Sequence, residues 1–344
     1  MKFGVGIPTC REGLYFPPNF ASPSKIIEIA KVAEELGFYS IWGNDHFTTP
    51  KYVTELWREP PNFYEPMVTL SYLAAVTKKV RLAIGVAILP IRNPVILAKE
   101  VATLDVLSGG RFILAVGLGA YREEFKRVHP AMAGVNRGIL LDESLCALQE
   151  LLTQPKASFN GQYIKFNDIE IHPKPIQDPF PIYIGGGFTD KNLKRVAEMG
   201  QGWFPSGMKP EYISEGISKI KKYASIMKRD VSKIDIAPQY TISIAKTHDE
   251  AMAKYTSTAL YAHHQTISDE REKYARSQLR ARSNINTPEG RDLIGTPSEI
   301  IEKLDQLSKA GVTHPAALIF ASRNGDEMLE GMEIFSKEVI PSFD

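Results

Sequence analysis

Asp45 and His46 are adjacent, and they follow Ser40-Ile41-Trp42-Gly43-Asn44 in the sequence. A carboxylate beside an imidazole is a pair suited to proton work. Imidazole titrates near neutral pH, so His46 is the leading acid/base candidate. Asp45 could contact a ring nitrogen of a ligand or orient another group. The other reading of the stretch is a plain loop with two polar residues. Tyr39-Ser40-Ile41-Trp42 has the β-branched and aromatic character of a buried strand. Gly43 and Asn44 mark its end, so Asp45 and His46 fall just past the strand's carboxyl end. In α/β proteins chemistry is built on that edge.

Glycine-rich segments recur after other apolar runs: Gly85 to Leu89, Gly117-Leu118-Gly119-Ala120-Tyr121-Arg122, Gly185-Gly186-Gly187 and Ser206-Gly207. Such segments let a flat or phosphorylated ligand approach the backbone and expose N–H groups to an anion. Gly185-Gly186-Gly187 runs into a helix expected from Asp190, an arrangement that suits a phosphate. Ser206, Gly207 and Lys209 add a hydroxyl and a cation. A permissive turn is the alternative. Gly117-x-Gly119 lacks the third glycine of a dinucleotide fingerprint, because Arg122 stands in its place, and a Rossmann-type NAD site is rejected.

The elements that must position these groups alternate. Lys2 to Ile7 reads as a first strand, followed by a helix over Pro23–Leu36 that Gly37 ends. Residues 48–63 form a long, aromatic, Pro-rich connection. A helix over Glu65–Thr77, a strand over Arg81–Leu89, a helix over Val95–Leu107 and a strand over Phe112–Val116 follow. Arg81–Leu89 is almost entirely apolar, as in a strand buried on both faces. Beyond a helix at 138–152, residues 157–173 read as a β excursion, with Asn160-Gly161 as its hairpin turn. Strands at 181–184, 202–204, 235–245 and 314–320 alternate with helices at 190–199, 210–228, 297–310 and 325–337. Residues 249–287 form a charged helical insertion containing Arg271, Arg276, Arg280 and Arg282. About eight strands alternating with helices imply a parallel sheet, and the length fits an α/β (β/α)8 TIM barrel with those two insertions. No linker is visible, so residues 1–344 are expected to form one domain.

Composition narrows the function. The chain has 344 residues, 43% hydrophobic, 24% charged and 10% aromatic, the balance of a globular protein. Lys+Arg total 41 against 40 Asp+Glu, so no basic surplus drives binding to nucleic acid or membranes. The His residues and the two cysteines, Cys10 and Cys146, show no metal-site or redox spacing. No export signal opens the chain and no apolar run approaches a membrane span. A cytoplasmic protein with no metal is expected.

Several ordered segments together resemble the bacterial luciferase-like monooxygenase family: Ser40–Phe47, Arg81–Pro90, Asn93–Glu100, Ala102–Arg111, Gly117–Phe125, Pro173-Lys174-Pro175 and Pro181–Gly186. The resemblance covers most of residues 1–210, with Gly295-Thr296-Pro297 and the last strand. The Trp-x-x-Asp-His and Pro-Lys-Pro segments look most like the branch that uses coenzyme F420, a 5-deazaflavin. The resemblance implies a TIM barrel with F420, or alternatively FMN, at its C-terminal face and hydride transfer at the ring. His46 and Asp45 would lie beside that ring, with His46 as acid/base. The implied cofactor-binding set is Asp45, Gly85, Val86, Gly119, Ala120, Tyr121, Gly185, Gly186, Gly187, Ser206 and Gly207. Within it, Gly85-Val86 would form a cis peptide against the ring, and the Gly185 and Ser206 loops would hold the phosphate end. The sugar-phosphate dehydrogenases of that branch carry an acidic proton donor where this chain has Ala120, so their reaction does not transfer. An F420-dependent oxidoreductase of a small organic substrate is expected. An FMN-dependent monooxygenase using O2, a non-catalytic flavin-binding protein and a flavin-free barrel enzyme for a phosphorylated substrate are the alternatives. Relatives commonly pair, so a homodimer is a further expectation.

Overall fold

The computed structural model describes residues 1–266 and 292–343. In order these residues form β1 (Gly4–Gly6), α1 (Pro23–Glu35), β2 (Ser40–Gly43), α2 (Lys51–Leu56), α3 (Pro66–Val76), β3 (Arg81–Ile88), α4 (Pro94–Leu107) and β4 (Phe112–Gly117). Then come α5 (Arg122–Val128), α6 (Arg137–Thr153), β5 (Ala157–Asn160), β6 (Lys165–Ile169), β7 (Ile182–Gly185), α7 (Asp190–Met199), β8 (Gly202–Phe204) and α8 (Pro210–Ile226). The last are β9 (Asp235–Ile236), β10 (Gln239–Ile244), α9 (His248–Thr256), β11 (Leu293–Gly295), α10 (Pro297–Lys309), β12 (Ala317–Phe320) and α11 (Gly325–Glu338).

Local chemistry explains the helix starts. The side chain of Ser22 accepts from Lys25 N–H ahead of Pro23, and Asn93 accepts from Val95 and Ile96 ahead of Pro94. Thr296 and Glu299 make a reciprocal capping box at α10. Each pairs a polar cap with a proline at the first helical position, where proline removes no needed donor.

The strands form a parallel sheet in the order β11-β10-β12-β1-β2-β3-β4-β7-β8-β9. β9 and β10 stand far apart in that order, yet only Ala237 and Pro238 separate them in the chain. Ala237 N–H donates to Trp203 O at 2.8 Å, Ala316 N–H donates to Pro238 O at 2.9 Å, and Ser206 bridges to Gln239. One run of chain thus joins both sides, and the sheet curls on itself. Pro238 has no N–H to give the ladder, which accounts for the break in the single strand expected over 235–245.

The strand pleat sorts the core into two layers. Trp42, Ala83, Ile113, Ala115, Tyr183, Phe204, Ala237 and Ala317 cluster inside the curl. Their neighbours Ile41, Leu82, Leu114, Ile182 and Leu318 face the helices in the larger outer core. Small alanines on some strands offset large aromatics on others, and Trp42 stacks on Phe204 at 4.8 Å.

The α/β reading holds, and β5 and β6 form the expected antiparallel excursion. The expected eight strands become ten in the sheet, through the split at Pro238 and through β11, which is too short to stand out in the sequence. The 48–63 connection carries α2, and the loop after β4 turns into α5; neither helix was expected. Of the insertion at 249–287, α9 and residues 259–266 are helical on either side of a break at Ser257-Thr258, and residues 267–287, including the four arginines named above, lie outside the described residues. No described helix is long and apolar enough to cross a membrane.

Candidate active site

All pairings in the large sheet are parallel, so its strands end on one rim. At the end of β2, residues 9–11 clasp the turn that delivers Asp45 and His46. Asn44 N–H donates to Thr9 Oγ1 at 3.0 Å, Asn44 Nδ2 donates to Cys10 O at 2.9 Å, and Arg11 Nε donates to Asn44 Oδ1 at 3.0 Å. A side chain on Gly43 would press on Thr9, with atoms at 3.2 Å, which favours glycine there. Burial pushes the Cys10 thiol up to about 12, so it is a packing group and not a nucleophile.

Asp45 is buried, and both its oxygens are engaged. Arg92 binds it two-pronged, Nε to Oδ2 and Nη2 to Oδ1, each at 2.8 Å, and Ile88 N–H donates to Oδ2 at 2.9 Å. Arg92 Nη2 also reaches Glu65 Oε1 at 2.6 Å. Burial opposes the charge on Arg92, but the hydrogen bonds and charges of Asp45 and Glu65 outweigh it and hold the guanidinium pKa above its usual value. Asp45 therefore ties the end of β2 to the end of β3.

His46 Nδ1 lies 2.9 Å from Glu124 Oε2, on α5. The other oxygen, Glu124 Oε1, accepts from Phe47 N–H at 2.6 Å and from Thr48 N–H at 3.4 Å. With Oε1 accepting from two amides, Oε2 is assigned as the acceptor of His46 Nδ1–H, which leaves the ring's lone pair on Nε2. The ring sits beside Phe63 and Tyr121, with centroids at 5.9 and 5.5 Å. Tyr121 Oη lies 3.2 Å from Tyr52 Oη, which lies 2.7 Å from His263 Nδ1. Burial pushes Tyr52 up to about 12 and, with Tyr52 beside it, raises Tyr121 further. Both phenols therefore stay protonated at neutral pH.

The glycine segments meet around Val86. The Gly85–Val86 peptide is cis. A Cβ on Gly85 would lie 2.7 Å from Phe204 and 2.8 Å from Trp42. Glycines at 117 and 185 leave room for the Val86 side chain, which lies against both. Gly186 has φ +117°, which few L side chains adopt, while Gly187 has only Met208 Cε nearby, at 3.8 Å. Ser206 is exposed at the end of β8 and Gly207 is buried behind it. Gly119, Ala120 and Tyr121 lead from β4 into α5 on the same rim.

Two observations fit a flavin or deazaflavin here. Arg11 is fully buried against Gly6 inside the curl, burial lowers its pKa to about 10, and its Nη1 has no hydrogen-bond partner among the described residues. An electron-rich ring edge suits such a cation. The open backbone at Gly187 leaves a cradle for a phosphate. Among the described residues no group of three His, Cys, Asp or Glu side chains could hold a metal ion.

Sequence reasoning singled out Asp45, His46 and the glycines and gave no individual roles to Glu124, Arg92, Arg11, Tyr52 and His263. Glu124 stands in the Gly117–Phe125 segment that carries the family resemblance, and that was its one signal.

Comparisons with known proteins bear on the family and the fold. The F420-dependent glucose-6-phosphate dehydrogenase of Amycolatopsis mediterranei is 28% identical over 335 residues, covering 93% of this chain and 94% of its own. The FMNH2-dependent dimethylsulfone monooxygenase of Pseudomonas putida is 27% identical over 361 residues, covering 99% and 94%. The solved coenzyme F420-dependent tetrahydromethanopterin reductase from Methanopyrus kandleri shares the fold, with a TM-score of 0.72 at 24% identity over 100% of this chain and 99% of that one. The sequence model of the luciferase-like monooxygenases matches residues 1–314. A match running from before β1 to the loop ahead of β12 leaves one assignment: this chain belongs to the luciferase-like monooxygenase family.

Proposed function

We propose that this chain is an F420-dependent oxidoreductase acting on a small organic molecule, built on a closed (β/α)8 barrel in which β9 and β10 serve as one strand and β11 is an added edge. The observation that carries the reading is the His46–Glu124 pair on the rim beside Val86 and the glycine loops. A deazaflavin bound there supplies hydride transfer to or from the substrate. Glu124 holds His46 in one tautomer, and His46 Nε2 takes or gives the substrate's proton. Tyr121 and Tyr52, kept protonated, are donors on the side where the acid at Ala120 is missing. Arg92 and Asp45 hold the two strand ends that carry His46 and Val86. Arg11 would supply a positive charge near a bound ring, and Gly186-Gly187 with Ser206-Gly207 would hold the phosphate.

An FMN-dependent monooxygenase is the second reading, favoured by the Pseudomonas putida relative that aligns with 99% of this chain. The test of the catalytic claim is His46→Ala, assayed for cofactor binding and for turnover across a panel of small alcohols, ketones and aldehydes. The expected result is an unchanged cofactor affinity with turnover reduced by about 10²-fold or more. Unchanged turnover would remove His46 from the mechanism.

A further inference from the structure

A cleft of about 580 Å3 opens beside the proposed cofactor rim. It lies between the loop after β4 (Leu118, Arg122), the start of α6 (Arg137) and the start of α7 (Thr189, Lys191), with Arg195 one turn along α7. Four cations line it. The carboxylate that balances them is Asp142, which pairs with Arg195 Nε and lies 3.4 Å from Lys191 Nζ. Arg122 and Arg137 have no carboxylate partner among the described residues. Burial, and then the charge of Arg122, lower the pKa of Arg137. Arg137 is nevertheless held in place, because its Nη1 donates to Leu118 O at 3.2 Å and to Gly119 O at 3.4 Å. That loop is the one that follows Gly117 on the rim.

The helix ends add little here, because their amides are already capped. Asn136 Oδ1 takes the amides of Gly138 and Ile139, and Thr189 Oγ1 takes that of Asn192. The attraction is that of the side chains, concentrated by the cleft walls. The cleft begins where the Gly117–Gly119 and Gly185–Gly187 segments end, so it continues outward from the phosphate cradle.

We propose that this cleft binds an anionic chain extending beyond the cofactor's first phosphate, carrying two or more further carboxylates or phosphates. The inference rests on the F420 reading above and sharpens it. The glutamate tail of F420 supplies such a chain, whereas the charge of FMN ends at its phosphate. The cleft therefore discriminates between the two cofactors.

The test compares the parent with the Arg122→Gln/Lys191→Gln double variant, in which both altered side chains are exposed. Fluorescence titrations use F420 with its glutamate tail and the ring–ribitol fragment that lacks both phosphate and tail. Thermal unfolding confirms that the variant is folded. The variant is expected to bind tailed F420 about tenfold more weakly at low salt, with a flatter salt dependence, and to bind the fragment as the parent does. If both proteins bind tailed F420 equally while the fragment also binds, the cleft proposal falls and the deazaflavin reading stands. If neither compound binds the parent, both fall. Inorganic tripolyphosphate tests the other source of such an anion, a phosphorylated substrate. If it binds the parent, is weakened in the variant and does not compete with tailed F420, the cleft belongs to the substrate and the proposal is overturned.

Discussion

Glu124 holds His46 Nδ1 at 2.9 Å through one oxygen and the amide of Phe47 at 2.6 Å through the other. One carboxylate thus fixes both the imidazole and the backbone that carries it. Glu124→Gln keeps the shape but can present an N–H to Nδ1, which moves the ring proton to Nε2. Turnover should fall by about 10²- to 10⁴-fold with cofactor affinity unchanged. Equal turnover would make the contact merely structural.

Arg92 neutralises a carboxylate that has almost no access to water, the side chain of Asp45 being 1% exposed. Arg92→Met leaves that charge buried and unpaired. Urea unfolding should show a loss of about 3–5 kcal/mol, and adding Asp45→Asn should recover part of it. Simple additivity of the two substitutions would contradict the pairing.

His314 is fully buried, with Nε2 2.8 Å from Ser40 Oγ, and burial lowers its pKa from 6.5 to about 3. The folded chain keeps this ring neutral while the unfolded chain protonates it near 6.5. Its contribution to stability is therefore intact above pH 6.5 and lost as the pH falls from 6.5 towards 3. Over that window the parent should lose stability more steeply than His314→Gln, by roughly 1.4 kcal/mol per pH unit at most. Parallel curves from denaturant unfolding would show that the ring titrates normally.

Gly185 and Gly187 separate packing from binding. A Cβ at Gly185 would run into Val86 and approach Val116 O at 3.0 Å, so Gly185→Ala should destabilise by about 1–3 kcal/mol. Gly187→Ala meets only Met208 Cε at 3.8 Å, so stability should stay within about 0.5 kcal/mol. It should still weaken cofactor binding, because the methyl fills the proposed phosphate cradle. Full affinity in Gly187→Ala would move the phosphate elsewhere.

What the sequence disclosed follows from distance along the chain. Strand and helix periods are local, so α7 begins and ends at the expected residues, and Asp45 and His46 are visible because they are neighbours. Glu124 lies 78 residues from His46, Arg92 lies 47 from Asp45, and Tyr52 lies 211 from His263. Tertiary structure brings those pairs together; for the first two it is the side-by-side pairing of β2, β3 and β4, whose ends carry the residues. Asp45 looked free to meet a ligand because nothing local shows that Arg92 takes both its oxygens. The break at Pro238 was legible in principle, since proline cannot donate to a ladder, but the strand-like Tyr240-Thr241-Ile242-Ser243-Ile244 pattern beyond it masked it.

The most direct measurement is a pair of fluorescence titrations of the apo-protein, one with F420 and one with FMN. The account predicts F420 binding at micromolar affinity or tighter, with FMN about tenfold weaker or worse. FMN binding more tightly than F420, or neither binding, would contradict it.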